Sequence, residues 1–231
     1  MEKVEFTTIS DRLISVIKKD ILNGTYQPGQ KLVLNDLKAH YKVGGSPLRE
    51  AMVQLAWQKY LVMKPQKGFW VADVSLDELR HIIQSRFAIG RIALKEAVAV
   101  GDEQWELNIL TAFHKLNRLN PDSDDFDVDE WDKRHKEFHL SIVECKGSEF
   151  LLDLLSHIYD QQDRYRHFLL GKDIEPMNRY HDKGEHEAVM NAVLRRDADL
   201  ASKLLYAHAE RLYTSIEQAT CLHSISGNLR Y

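Results

Sequence analysis

Apolar residues in the first part of the chain recur three or four positions apart, which is the spacing of an amphipathic helix. The pattern holds over residues 9–23 and returns in two shorter segments, 34–41 and 46–60. In the third segment Ser46 is the expected N-cap. Pro47 then takes the first helical position, where its missing N–H removes no hydrogen bond. The pattern predicts three consecutive helices.

A different pattern follows the third predicted helix. Two short apolar runs, 61–63 and 69–71, flank a turn that contains Lys67 and Gly68, and this predicts a β-hairpin. Three helices and a hairpin within about 70 residues are typical of a winged helix-turn-helix, which places one helix in the major groove of DNA.

From Ser75 onward the helical spacing is continuous. The segment from Ser75 to Glu78 reads as a capping box that opens a long helix. We predict helices at roughly 76–100, 103–118, 127–145, 148–170, 178–196 and 198–218. The chain is therefore predicted to be mainly α, with a winged helix-turn-helix over residues 1–74, an all-helical domain over 75–219 and a flexible tail over 220–231.

The charge distribution supports this division. Residues 1–74 hold 11 Lys and Arg against 7 Asp and Glu, whereas the rest of the chain holds 20 against 28. A basic head on an acidic body fits a DNA-contacting module joined to a module that does not contact DNA, with chance asymmetry as the alternative. Two cysteines, no membrane-length apolar run and no signal-like N-terminus predict a cytoplasmic protein.

The first turn of the third helix is expected to lie nearest the base edges. Arg49 is the strongest candidate for base readout, because a guanidinium can fork onto guanine; a solvated surface arginine is the alternative. Lysines are better suited to phosphates, and a hairpin glycine lets the backbone approach the duplex. The predicted DNA-binding residues are Ser46, Leu48 and Arg49 on the helix, Lys38, Lys42 and Lys67 for phosphates, and Gly68 at the hairpin.

The same segments resemble the GntR family of bacterial transcription regulators. The resemblance rests on Ile21–Gly24, Pro28-Gly29, Leu32, Pro47, Arg49–Ala51, Leu55, Gly68 and Val71. It implies a homodimeric regulator, usually a repressor, that binds a palindromic operator in double-stranded DNA. Gly44-Gly45 and Asn35-Asp36 replace positions that carry arginine or another basic residue in many members. Either the operator differs from the usual type, or Arg49 and the hairpin bear more of the readout.

Four of the eleven histidines stand out in the second half of the chain. His135 and His139 are four positions apart and project from one face of one helix. His186 and His208 fall on the last two long helices. Neutral imidazoles from several helices can converge on a divalent metal inside a bundle. Ordinary core or surface histidines remain the alternative.

The second half also resembles the FadR-type effector domain called FCD, an antiparallel bundle of six or seven helices. Phe138-His139 and the pair His186 and His208, 22 residues apart, carry the resemblance. It implies a metal site of one carboxylate and three histidines, but His135 stands at the carboxylate position. A four-histidine site favours zinc, with nickel or manganese as alternatives. Asp132, one turn earlier, is either a substitute ligand or a hydrogen-bond acceptor behind a ligand.

An effector that is an acid requires a counter-charge. By the FCD resemblance, Arg86 aligns with an arginine that holds a carboxylate; Arg164, Tyr165 and Arg166 on a later helix are further candidates. Internal salt bridges are the alternative for all three arginines. The chain is also similar to the CsiR-type branch, which regulates the breakdown of glutarate and 2-hydroxyglutarate. That similarity implies a short dicarboxylate effector such as glutarate.

The alternative function is a metal-dependent enzyme built on the histidines. Glu137 lies between His135 and His139 but off their common face, so it is poorly placed as a base. The sequence contains no dinucleotide fingerprint or Gly-rich phosphate loop. We therefore predict a regulator and not an enzyme.

Overall fold

The computed structural model describes residues 8–145, 147–170 and 184–225, and the side chains of 168–170 and 219–225 are outside the description. The chain forms two compact units, Met1–Ser75 and Leu76–Tyr231. The first contains α1 Ile9–Leu22, β1 Lys31–Leu32, α2 Leu34–Tyr41, α3 Gly45–Trp57, β2 Leu61–Lys64 and β3 Gly68–Val71. The second contains α4 Leu76–Val100, α5 Glu103–Asn117, α6 Val128–Val143, α7 Glu149–Leu170, α8 Glu185–Leu194 and α9 Ala198–Ile225.

The first unit is a winged helix-turn-helix, as the sequence predicted. Helix α1 packs against α3, and α3 also packs against α2 and β2. Fully buried Ile17, Ile21 and Leu55 lie in the core between these elements. Thr8 and Asp11 form a capping box that fixes the start of α1, since each side chain satisfies a backbone N–H of the other residue.

A third strand, which the sequence pattern did not predict, completes the sheet. The strand order is β1-β3-β2, with both pairs antiparallel and Lys31 opposite Trp70. Gly29, at φ +73°, turns the chain so that its N–H donates to the carbonyl of Val71 at 3.0 Å. A side chain there would be strained and would meet the carboxylate of Asp73. A strand of two residues shows no alternation from which it could be recognised.

Helix α3 begins earlier than predicted. Gly44 is its N-cap and Gly45 its first residue, so Ser46 is not the cap and Pro47 takes the third helical position. Proline is tolerated there because none of the first four N–H groups has a partner within the helix. Leu48 is fully buried on the stripe that it shares with Met52, and the prediction that Leu48 contacts DNA is therefore wrong.

The second unit is a helical bundle, as predicted. Helix α4 packs against α6, α7 and α9; α5 packs against α6 and α8, and α8 packs against α9. The core between them is apolar and includes Leu94, Ile109, Phe138, Ile142 and Val193. Among the described residues, no helix combines the length and apolar character needed to cross a bilayer.

Most helix boundaries predicted in the second unit agree with the structure to within two residues, and two need comment. Helix α9 continues to Ile225, although the tail was predicted to start at residue 220, because no glycine or proline interrupts residues 198–226. Residues 226–231, the rest of that tail, lie outside the described residues. Helix α8 begins at Glu185, and residues 178–183 of the predicted helix also lie outside the description.

Leu48 and Arg49 are neighbours in the sequence, but only the buried Leu48 is expected to contribute strongly to stability. Leu48→Ala is expected to lower the free energy of unfolding by about 2–5 kcal/mol, because it opens a cavity beneath α3. Arg49→Ala removes an exposed side chain and should change it by less than about 0.5 kcal/mol. Urea unfolding followed by circular dichroism measures both values. Equal values for the two variants would contradict the buried position of Leu48.

Candidate functional site

Four histidine side chains meet inside the helical bundle. His135 and His139 come from α6, His186 from α8 and His208 from α9, and their rings lie 4.4–5.7 Å apart, centroid to centroid. One nitrogen of each ring lies within 4.8 Å of the corresponding nitrogens of the other three. The first three rings are buried and His208 is half-buried. The fold thus collects donors from three helices into one cluster.

The surroundings favour the neutral form of His135, His139 and His208. Burial lowers the pKa of His135 and His139 well below the usual value, and nearby positive groups, including Arg86 beside His139, lower it further. Burial also lowers the pKa of His208 to about 4, against a smaller opposing effect of Glu185. A neutral imidazole keeps one nitrogen lone pair, and this is the form that binds a metal ion.

The hydrogen bonding of the cluster fits a metal ion. The Nε2 atoms of His135 and His139 face each other at 3.1 Å, and their buried Nδ1 atoms have no hydrogen-bond partner among the described residues. Burying polar atoms without partners is unfavourable. Four imidazole nitrogens at this spacing match the donor set and number of ligands that zinc accepts. A divalent cation between the rings would use the lone pairs of the Nε2 atoms that face each other.

A carboxylate fixes the ring of His208. Nδ1 of His208 lies 2.7 Å from Oε2 of Glu185, which is also 2.7 Å from Nη2 of Arg211. Burial raises the pKa of Glu185, but the hydrogen bond with His208 and the nearby cations outweigh this effect, so its pKa is lowered overall. The carboxylate is therefore ionised and holds the proton of His208 on Nδ1, which leaves Nε2 as the acceptor. Such pairs orient metal-binding histidines in proteins.

Asp132 faces away from the cluster. Its Oδ2 lies 2.6 Å from Nε2 of His167, and its Oδ1 lies 3.3 Å from Nη1 of Arg166. The guanidinium of Arg166 lies over the ring of Trp131 at 4.9 Å, and Trp131 stacks on His135 at 4.4 Å. The sequence left open whether His135 or Asp132 is the fourth ligand. The geometry groups His135 with the other three histidines.

A cleft extends from His139 of the cluster to the buried cation Arg86, and the exposed Arg91 also lines it. Arg86, His139 and Tyr159 line it together with Ser202, Tyr206 and the apolar side chains of α4, α6, α7 and α9. Arg86 is 7% exposed, and its Nη1 donates to Oε1 of Gln162 at 2.7 Å. Its Nη2 is buried and has no hydrogen-bond partner among the described residues. A buried guanidinium with a spare donor is suited to an anionic group of a ligand.

The ring of Tyr159 packs against both Arg86 and His139. The guanidinium lies 4.1 Å from the centroid of the Tyr159 ring, which stacks on His139 at 5.3 Å. Sequence reasoning missed both Tyr159 and Gln162. They lie three residues apart on one side of α7, but nothing in the sequence shows that this side faces Arg86 of α4.

The other predicted effector-binding residues have internal partners. Arg164 and Tyr165 both donate to Glu78, the former at 3.3 Å. Arg166 pairs with Asp163 as well as Asp132. None of the three lines the cleft. Their role in effector binding remains a prediction, and their geometry is that of the internal salt bridges named as the alternative.

In the first unit, the predicted DNA-binding side chains other than Leu48 are accessible. Ser46, Arg49, Lys38, Lys42 and Lys67 are exposed, and Gly68 is half-buried. Ser10 donates to Oε2 of Glu50 at 2.7 Å and to the carbonyl of Pro47 at 3.3 Å, which ties the first turn of α3 to α1. The side-chain stem of Lys38 lies beside Gly45, at the start of α3. An arginine and a lysine therefore stand at the N-terminal end of α3.

Comparisons with known proteins agree with both units. Residues 9–71 match the family model "Bacterial regulatory proteins, gntR family", and residues 81–211 match the FCD domain. The chain is 35% identical to the HTH-type transcriptional repressor GlaR of Escherichia coli K12, over 88% of this chain and 93% of that protein. It is 30% identical to the uncharacterized regulator BphR of Paraburkholderia xenovorans, over 87% and 82%.

The fold agrees with solved structures as well. McbR/YncC of E. coli superposes with a TM-score of 0.73 at 18% identity, covering 91% of this chain and 98% of that one. A GntR regulator from Rhodococcus superposes with a TM-score of 0.67. These relatives are regulators and not enzymes, and Glu137, the base that the enzyme alternative required, is exposed.

Glu185 provides a test of the metal centre. Glu185→Gln is expected to weaken zinc binding about 10–100-fold, because the amide orients the His208 ring less strongly than a carboxylate. Glu187→Gln, at an exposed site on the same helix, is the matched control. Competition with a chromophoric chelator measures the affinities. Equal weakening by both changes would contradict a specific role for Glu185.

Proposed function

Because the chain belongs to the GntR family and carries an FCD domain, we propose that it is a homodimeric transcriptional repressor that a small carboxylate releases from DNA. The observation that carries the effector part is one cleft that is lined both by His139 of the histidine cluster and by buried Arg86, whose Nη2 has no hydrogen-bond partner among the described residues. We place the protein in the cytoplasm, where operator and metabolite are both present.

In this proposal the first unit reads the operator. Arg49 contacts a base edge from the first turn of α3, and Ser46 supports it with a hydroxyl hydrogen bond to the DNA. Lys38, Lys42 and Lys67 contact phosphates, and Gly68 lets the hairpin backbone approach the duplex. A homodimer presents two such heads, so the operator is a short palindrome.

In the second unit, His135, His139, His186 and His208 hold the metal, which we propose to be zinc; nickel and manganese are the alternatives. Four imidazoles contribute no negative charge, so a bound dication keeps its full charge in a buried site that already contains Arg86. Carboxylate oxygens can both ligate a metal and accept from a guanidinium. The charge of the site thus favours an anionic ligand over a neutral one.

We propose a short dicarboxylate, such as glutarate, as that ligand. One carboxylate reaches the His139 side of the cleft, and the other accepts hydrogen bonds from Arg86. The apolar lining of the cleft, which includes Leu94, Leu155 and Val143, suits the methylene chain between the two. Binding shifts the equilibrium between two conformations toward the one with lower affinity for the operator. The free energy of this shift is set by the difference in ligand binding free energy between the two conformations.

Sequence-specific DNA binding is tested with the DNA upstream of the gene itself. In gel-shift assays at moderate salt, the protein should retard this fragment, and Arg49→Ala should weaken binding by about 1–3 kcal/mol, or roughly 5–150-fold. Arg12→Ala, an exposed arginine of α1 outside the predicted DNA-binding set, should leave affinity nearly unchanged. Failure of the unaltered protein to discriminate this fragment from an unrelated one would contradict the repressor assignment.

The effector is tested by thermal shift with C4, C5 and C6 dicarboxylates, before and after metal removal. Glutarate should raise Tm in the metal-loaded protein and dissociate it from DNA. Arg86→Met should abolish the shift and still fold, because it replaces a buried charge with an apolar chain of similar length. Lys95→Met removes an exposed charge from the same helix and is the control. Full retention of the glutarate shift in Arg86→Met would refute the role of Arg86.

A further inference from the structure

The outer face of the three-stranded sheet carries an unassigned arrangement of charge. Along β3, Phe69 and Val71 are buried, so the intervening Trp70 lies on the opposite, outer face. The strand register places Lys31 of β1 on one side of Trp70 and Val62 of β2 on the other. Trp70 is half-buried and Lys31 is exposed.

Two lysine ammonium groups lie close to the ring of Trp70. The Nζ atom of Lys31 lies 5.3 Å from the ring centroid, and that of Lys64 lies 4.7 Å from it. Lys64 is in register with Gly68, which has no side chain to occupy the space between Lys64 and the indole. Both distances fall within the range of cation–π attraction. The ring therefore restricts two otherwise flexible ammonium groups to one small area.

Cations predominate in the sequence of the hairpin that forms this face, up to Asp73 at its end. Residues 51–72 contain three lysines and no acidic residue, and Lys31 adds a fourth cation to the sheet. Neither Lys31 nor Lys64 forms an ion pair with a described residue. Two cations held near each other without a carboxylate repel one another, and a bound anion relieves that repulsion.

We propose that Lys31 and Lys64 form a phosphate-binding pair on the outer face of the sheet, and that Trp70 is the positioning residue that holds them. The ligand is the sugar-phosphate backbone of duplex DNA, so the proposal rests on the proposed DNA-binding function. An ammonium is a compact charge without the planar fork of an arginine, and it contacts phosphates without reading sequence. The pair adds affinity beyond Arg49 and the hairpin tip, but no specificity.

Salt dependence of binding measures phosphate contacts directly, because each neutralised phosphate adds about 0.9 to the slope of log K against log salt. The probe is a fluorescent 30-base-pair duplex of mixed sequence, titrated with the full-length protein at several salt concentrations. Lys31→Met with Lys64→Met should lower the slope by about 2. Lys59→Met, at an exposed site between α3 and β2, removes one of the other lysines of this segment and should leave the slope nearly unchanged.

Trp70 variants test the positioning role. Trp70→Leu removes no charge, yet it should lower the affinity for DNA and reduce the slope of log K against log salt. Trp70→Phe, which keeps an aromatic ring, should retain most of the affinity and most of the slope. Thermal unfolding of each variant reports any loss of fold. An unchanged slope in the double lysine variant, with normal Tm, would overturn the proposal. If the unaltered protein shows no salt-dependent binding to any duplex, the proposed DNA-binding function fails and this proposal fails with it.

Discussion

The candidate site of the second unit depends on bringing four histidine rings together inside the bundle. His135 and His139 share a helix face, but His186 and His208 reach them only because α8 and α9 pack against each other and against their neighbours. Burial lowers the pKa of His135, His139 and His208. It therefore favours their neutral form, which keeps a lone pair for a metal ion. Stability of the bundle and its capacity for a ligand are coupled through this cluster.

The sequence predicted much of this arrangement because helical spacing is a strong signal. The winged helix-turn-helix, the long helices and the shared helix face of His135 and His139 follow from positions that recur at fixed intervals. The convergence of all four histidines was expected from the resemblance to the FCD domain. What it missed depends on tertiary contacts. Leu48 has the neighbours of a DNA-reading residue, yet it lies on the apolar stripe of α3. The two-residue strand β1 forms only because Gly29 turns it toward β3.

The three arginines proposed for effector binding show the same limit of prediction from sequence. Helical spacing alone does not distinguish Arg86, Arg164 and Arg166, and only the FCD resemblance singled out Arg86. The structure distinguishes them by their partners, since acidic residues pair with Arg164 and Arg166, whereas Arg86 donates to the neutral amide of Gln162. Which arginine meets an acid depends on helix packing, and no local pattern records it.

Helix α7 connects the cleft with the beginning of the bundle. Gln162 binds Arg86, and two and three residues later Arg164 and Tyr165 bind Glu78, which lies three residues after Ser75, the last residue of the first unit. Because one rigid helix carries both sets of contacts, an axial slide or rotation of α7 cannot alter one set without straining the other. Helix α7 thus couples the first turn of α4, through Glu78, to the guanidinium of Arg86 inside the bundle.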